Sequence, residues 1–430
     1  MFSSGRSGHS SSLGDGSLLK SNVMSGQPTK TKRWTDYQGL AIPPCNPYYK
    51  REGSKHLVLP WIYLYTIKKE DGKRMLSYRK KVAGDLSLHD EIKAFVKFMK
   101  PTEKEIAVRQ DLVKRFTQLI LSFGVDVSAP EPVGSYVTGL YLPTSDIDMV
   151  LTPRLYTSPS DVLRRIYHKL LLMPSPQFHK QLRDVLQASV PLITITDAKT
   201  GIAIDLSAEV AHSRAATKAV GEWLKRGERL EDEAIIRMLV MVTKTFLSIR
   251  RCGTTYTGGI NSYVLFWMVV AWVKLELPKM RNEVKTTRDS GVESLGTMLS
   301  DMRLDQESRS TPDYGKILIA FFKFYGQDFD YRTKRIIIAP EPRYEYHYSS
   351  EQPYLLSIMD AANGAIDMGT KAYAIKHVAA SFEEAYRELQ LLERQRLNGI
   401  SVGDKGILGK VLGGDFLQFW IDRLKLDIPA

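Results

Sequence analysis

Cysteine is nearly missing. Cys45 and Cys252 are all that 430 residues contain, too few for a disulfide framework or a zinc finger, so a reducing compartment and two inert thiols are expected. A signal peptide is also lacking: no N-terminal stretch combines charged, apolar and small-residue zones. Long hydrophobic runs are absent too. The longest, Tyr263 to Val273, falls well short of the roughly 20 residues that span a bilayer and should instead be a buried core helix. No internal repeat recurs. Acidic residues are outnumbered, 48 Asp and Glu against 60 Lys and Arg, which leaves a formal net charge of +12. Such a balance favours a polyanionic partner, although it would equally serve solubility or an anionic membrane surface.

What is present suffices for two cores of ordinary domain size and a tail, since 43% of the residues are hydrophobic. Residues 1–55 read as a disordered Ser/Gly-rich basic tail. Its cluster Lys30-Thr-Lys-Arg33 has the composition of a nuclear address or of plain solvated charge. Residues 56–110 should pack on the central domain through the apolar run from Leu57 and a helix from Leu88. A second helix opens at Thr102 with Glu105 three residues on, a capping-box pattern. Residues 111–225 read as a catalytic palm and 226–398 as a helical central domain with a polar insertion at about 279–312, a surface loop. The last segment, 399–430, should dock back on the body.

The chemistry concentrates between Pro132 and Val150. Asp146 and Asp148 sit two apart in an apolar run, Asp-Ile-Asp-Met-Val-Leu, and strand periodicity sends both carboxylates to one face while Ile147 and Met149 face the core. Two carboxylates that close repel unless a cation lies between them, and hard oxygen ligands suit Mg²⁺. Upstream, Gly134 lets the backbone approach a phosphate, and Ser135 begins a short turn from Tyr136 to Leu140 that would aim its hydroxyl at an anion. Asp205 lies in a later apolar strand, Ile202-Ala-Ile-Asp-Leu, where an isolated acid is costly unless paired or bound to a cation. It becomes the third carboxylate. A lone Asp-x-Asp is usually a solvated loop; the combination is specific. Further on, Tyr256-Thr-Gly-Gly-Ile-Asn-Ser-Tyr263 breaks a helical pattern in a way that favours backbone approach to a ligand.

Gly134-Ser135 followed by Asp146-Ile-Asp148 resembles the signature of the DNA polymerase β-like nucleotidyltransferase superfamily. The longer segment Thr138-Gly-Leu-Tyr-Leu-Pro-Thr-Ser-Asp-Ile-Asp148 resembles the template-independent poly(A) polymerases of nuclear RNA surveillance, the TRAMP type. The resemblance implies an α+β fold: a palm of mixed β-sheet with flanking helices, plus a mainly helical domain bearing a nucleotide recognition loop. It implies that Asp146, Asp148 and Asp205 bind two Mg²⁺ ions, or Mn²⁺ in their place, that ATP is the substrate and that RNA 3′ ends are extended. Lys244 and Ser262 then contact the triphosphate and Tyr263 stacks on the base. His212 stands where relatives carry an Asn that contacts the ribose, and in the recognition loop, with Ile366 in place of the family's Asn, Asp367 is the remaining polar candidate. The family further implies a zinc-knuckle RNA-binding protein and an RNA helicase as partners, and the nucleus or nucleolus as location. A terminal uridylyltransferase on the same scaffold is the nearest alternative, and an inactive RNA-surveillance scaffold the alternative of another class.

Overall fold

The computed structural model describes residues 39–44, 59–70, 73–81, 85–154, 158–173, 178–188, 190–208, 211–225, 230–282, 312–349, 351–414, 416, 419–421 and 423. Most of the Ser/Gly-rich tail, its basic cluster, Cys45 and nearly all of the 279–312 insertion lie outside the described residues.

Alternation builds the palm sheet. Strands β3 (Glu131–Pro132), β4 (Ile147–Val150), β5 (His179–Val185), β6 (Leu192–Asp197) and β7 (Ala203–Ser207) form one sheet in the order β3-β4-β7-β6-β5. Only the pair β4 and β7 runs parallel. Ile147, Met149, Ile193, Ile195, Ile204 and Leu206 all fall on one face and are fully buried, against helix α2 (Glu103–Ser122) and helix α4 (Pro159–Leu171). The other face carries the acids. Both helices start where local chemistry says they should: Ser158 caps α4, and Thr102 and Glu105 close a reciprocal capping box on α2.

The larger core is helical. Helices α6 (Leu230–Ile249), α7 (Ser262–Leu275), α8 (Tyr314–Lys323) and α9 (Ile375–Leu397) share it with α1 (Leu88–Met99) and the short α10 (Ile407–Leu412). Helix α7 is apolar all round, buried from Val264 to Val273, so it runs through the middle of the domain as its composition requires. Among the described residues no helix is long and apolar enough to cross a membrane.

The described part of the segment after α9 packs on α1, and one acid does much of it. Glu91 of α1 is fully buried, and its carboxylate accepts the backbone N–H groups of Ile407, Leu408 and Gly409 at 2.7–3.0 Å and the indole N–H of Trp61. Burial pushes its pKa up while those donors pull it down.

Three parts of the fold differ from the sequence expectation. First, the stretch after Trp61 forms a hairpin, β1 (Tyr63–Glu70) with β2 (Lys73–Lys80), on either side of the turn-favouring dipeptide Asp71-Gly72. Second, α2 runs unbroken across the expected boundary at residue 111: its Leu112, Phe116 and Ile120 belong to the palm core, whereas α1 belongs to the helical one. Third, helix α5 (Ala211–Lys225), placed in the palm by sequence, buries Val220 and Leu224 in the helical core. A small sheet, β10 (Ser357–Ile358), β8 (Lys334–Ile337) and β9 (Arg343–Tyr346) in that order, was not legible because its strands are only two to four residues long.

Candidate active site

The parallel pairing of β4 with β7 sets the site. Its register places Asp148 directly beside Asp205, with Ile147 beside Ile204 on the opposite face. Neighbouring strands lie about 4.8 Å apart, so the two carboxylates are held side by side. Asp146, exposed, precedes β4 at the rim. The sequence could place each acid on a face; only the pairing brings the third to the first two.

The electrostatics match that crowding. Burial raises the pKa of Asp148 to about 7, helped by the charges of Asp146 and Asp205 and opposed by Lys244. Burial likewise raises Asp205 to about 6, with Asp146 adding to the shift and Thr194 and Arg183 opposing it. Asp205 Oδ1 is buried and, among the described residues, makes no hydrogen bond. No set of three or more His, Cys, Asp or Glu side chains among the described residues is drawn up closely enough to hold a metal ion as it stands. The acids converge without closing. A hard divalent cation nevertheless fits the donor set: all ligands are carboxylate oxygens, one is orphaned, and a cation would remove the repulsion that adds to the effect of burial on both pKa values.

Two residues that sequence reasoning passed over hold this geometry. Arg109, buried on the apolar stripe of α2, donates to the carbonyls of Pro143 (2.9 Å) and Ser145 (2.7 Å) and lies over the Tyr141 ring, so it fixes the turn that delivers Asp146. The signal was available: an arginine in register with Glu105, Leu112 and Phe116 is a charge on a core-facing stripe. Thr217 of α5 accepts the Gly134 N–H at 2.8 Å, so that amide is already paired within the protein. Gly134 is required for a different reason. It opens the short helix α3 (Gly134–Thr138) at φ +67°, and a β-carbon there would stand 2.9 Å from Asp148 Oδ2. Gly134→Ala should therefore displace the Asp148 carboxylate and lower the kcat of whatever reaction the acids support by roughly 10- to 100-fold with the fold retained, because a shift of about 1 Å at a reacting centre costs that much. Steady-state kinetics beside a thermal melt check this; wild-type kcat would remove Gly134 from the site.

The remaining predicted residues divide into those that gather and one that does not. Ser135, half-buried at the start of α3, has no hydrogen bond to its hydroxyl among the described residues, so the group is available to an incoming anion. Lys244 projects from α6 toward the acids: its ammonium donates weakly to the Leu140 carbonyl (3.4 Å), and it interacts with Asp146 and Asp148. Burial pulls its pKa down and the two acids push it back up. Ser262 and Tyr263 form the first turn of α7, after the Asn261 cap. The Tyr263 hydroxyl donates to Asp360 Oδ1 at 2.7 Å, and its ring meets His212 and Trp267 edge-on. His212 Nδ1 lies 3.4 Å from Asp360 Oδ2, so α5 and the loop that follows β10 meet at Asp360.

Asp367 is the exception. Its carboxylate accepts from the backbone N–H groups of Ile358 and Gly369 and from the Ser357 hydroxyl (2.6 Å), which commits it to holding β10 and the following turn. In this loop the acid facing the site residues is Asp360, not Asp367. The Gly258-Gly259 pair also turns inward: β-carbons there would strike the Tyr373 ring (2.3 Å) and the Cys252 carbonyl (2.0 Å), so these glycines serve internal packing rather than a ligand.

Comparison with known proteins bears on the fold that carries this site. Residues 88–218 match the family model of the central palm domain of the mitochondrial-like poly(A) RNA polymerases. A poly(A) RNA polymerase of Saccharomyces cerevisiae is 25% identical over 336 residues, covering 76% of this chain and 51% of that protein. Among solved structures, the polymerase core of TRAMP, an RNA surveillance complex, superposes with a TM-score of 0.59 at 23% identity, over 76% of this chain and 93% of that one. A poly(U) polymerase bound to Mg and 3′-dATP superposes with a TM-score of 0.54 at 17% identity, over 76% of this chain and 98% of that one. The chain spans about half, or less, of the length of the curated relatives it matches first. Residues 88–218 thus resemble the central palm domain of the mitochondrial-like poly(A) RNA polymerases, and the chain shares the fold of these polymerase cores.

Proposed function

We propose that this protein adds adenylates to RNA 3′ ends without a template, joining the terminal 3′ oxygen to the α-phosphorus of ATP and releasing pyrophosphate. The observation that carries the reading is the row of Asp148 and Asp205 in register on adjacent parallel strands, with Asp146 at the rim and Lys244 reaching both members of the first pair. Asp146, Asp148 and Asp205 would hold the Mg²⁺ ions, which when bound neutralise triphosphate charge and acidify the attacking hydroxyl. The chain's own residues do the positioning. Lys244, Ser135 and Ser262 take up triphosphate charge; Tyr263, pinned through its hydroxyl to Asp360, presents a fixed ring edge and face at the head of α7. His212 links that loop to α5.

The preference for ATP rests on stacking. A base on an aromatic ring gains roughly 1–3 kcal/mol with little regard to sequence, and strict selection needs hydrogen bonds to the base edge. Ile366, 41% exposed in the recognition loop, offers none. The expected result is that kcat/KM for ATP exceeds that for UTP by about tenfold on one unstructured RNA primer, that tails require Mg²⁺, and that Ile366→Asn widens the margin. UTP used equally well or better would assign the protein to the uridylyltransferases instead.

Tagging RNAs for exosome processing or decay is the role this activity fits, with a zinc-knuckle RNA-binding protein and an RNA helicase as partners, by analogy with the TRAMP polymerase core. The net charge of +12 supports RNA as the polyanion, and the basic cluster at Lys30 to Arg33 supports a nuclear or nucleolar site of action.

A further inference from the structure

The register of the palm sheet extends the acid row beyond the three carboxylates. Asp148 pairs with Asp205, Asp205 with Thr194, and Thr194 with Arg183 on the outermost strand β5. All four lie on one face. The row beside it, Ile147, Ile204, Ile195 and Leu182, lies on the other, and these packed neighbours fix the direction in which Arg183 points. Arg183 is exposed and, among the described residues, its side chain makes no ion pair or hydrogen bond, yet its charge is felt at Asp205. Thr194, half-exposed, is the neutral step between them. Read outward from the acids, the face therefore goes from negative to neutral to positive over two strand spacings, about 10 Å. The end of an RNA strand has the complementary order: a neutral 3′-hydroxyl, then a sugar, then a phosphate. An acidic peptide would set its charge beside Asp205 if it entered this row, whereas an RNA end places only the hydroxyl there.

We propose that Arg183 is a positioning residue for the RNA substrate, holding the phosphate 5′ to the terminal nucleotide over the Thr194 row so that the 3′-hydroxyl falls at Asp205. This rests on the reading of the site as an RNA-extending one. The guanidinium offers a planar fork that suits phosphate oxygens, and on a β-strand it is anchored more firmly than on a loop. Lys244, to which the triphosphate is assigned, interacts with Asp146 and Asp148, whereas Arg183 interacts with Asp205, so the two cations serve different ends of the acid row.

The test uses the full chain, fluorescein-labelled single-stranded oligoadenylate and no nucleotide. Kd is measured by anisotropy from about 25 to 200 mM salt for wild type, Arg183→Ala and Arg183→Lys, with KM for ATP and thermal melts measured alongside. Arg183→Ala should raise Kd about three- to tenfold at low salt and make the slope of log K against log salt shallower by about 0.7, one phosphate contact on a single strand. KM for ATP and Tm should stay as in wild type. Arg183→Lys should restore the slope while recovering only part of the affinity. An unchanged Kd and slope in Arg183→Ala, or a change confined to KM for ATP, overturns the assignment. Wild type that binds the RNA but extends it with no nucleotide defeats the transferase reading while the salt slope still decides Arg183; wild type that does not bind it defeats both.

Discussion

Asp148→Asn lowers nucleotide addition by at least about a thousandfold and leaves the fold intact. The carboxylate stands beside Asp205 and feels the charges of both Asp146 and Asp205, in the group that would carry the metal ions, and loss of one such oxygen ligand removes several kcal/mol of transition-state charge stabilisation, where about 4 kcal/mol is a factor of a thousand. The fold survives because Asp148 makes no contact that the core depends on: its face of β4 is the open one, and Ile147 and Met149 hold the strand from behind. Single-turnover extension of a labelled primer by wild type and variant in Mg²⁺ checks this. Activity within tenfold of wild type would falsify the assignment of Asp148. Asp205→Asn should also abolish addition but keep triphosphate binding, since Lys244 interacts with Asp146 and Asp148 rather than with Asp205.

The same substitution stabilises the metal-free protein at neutral pH, opposite to its effect on activity. Asp148 has an ordinary pKa of 3.8, which burial raises to about 7 in the fold, and Asp205 rises to about 6. Between pH 4 and 7 the folded state therefore binds protons that the unfolded state has released, so stability falls as pH rises through that window. Asparagine carries no such charge. In EDTA, the melting temperature of Asp148→Asn should match wild type near pH 4 and exceed it by several degrees at pH 8, where one kcal/mol is worth roughly 2–4 °C in domains of this size. Mg²⁺ at pH 8 should raise the melting temperature of wild type more than that of the variant, by binding the folded state alone. A wild type more stable than the variant in EDTA at pH 8 would show that the acids are not crowded as the register places them.

The sequence by itself determined what short-range chemistry dictates. Period-two alternation in Ile147 to Val150 and in Ala203 to Ser207 put each acid opposite a core residue, the Thr102–Glu105 pair marked the start of α2, and the unbroken apolar run from Val264 marked α7 as the central helix. These depend on neighbours a few positions apart. Tertiary structure alone decided the pairings. Whether Asp205 stands beside Asp148 is a matter of strand order and register, and a slip by one residue would turn the acid into the core. Arg109 and Thr217 became site residues only when α2 and α5 were packed against the Pro143 turn and Gly134. Between two acids seven positions apart in one loop, the sequence favoured Asp367, but folding gave its oxygens to Ser357, Ile358 and Gly369 and turned Asp360 toward Tyr263 and His212. The physical reason is that hydrogen-bond capacity is spent on whichever donors the fold brings within reach, and a carboxylate's partners here come from β10 in one case and from α7 and α5 in the other.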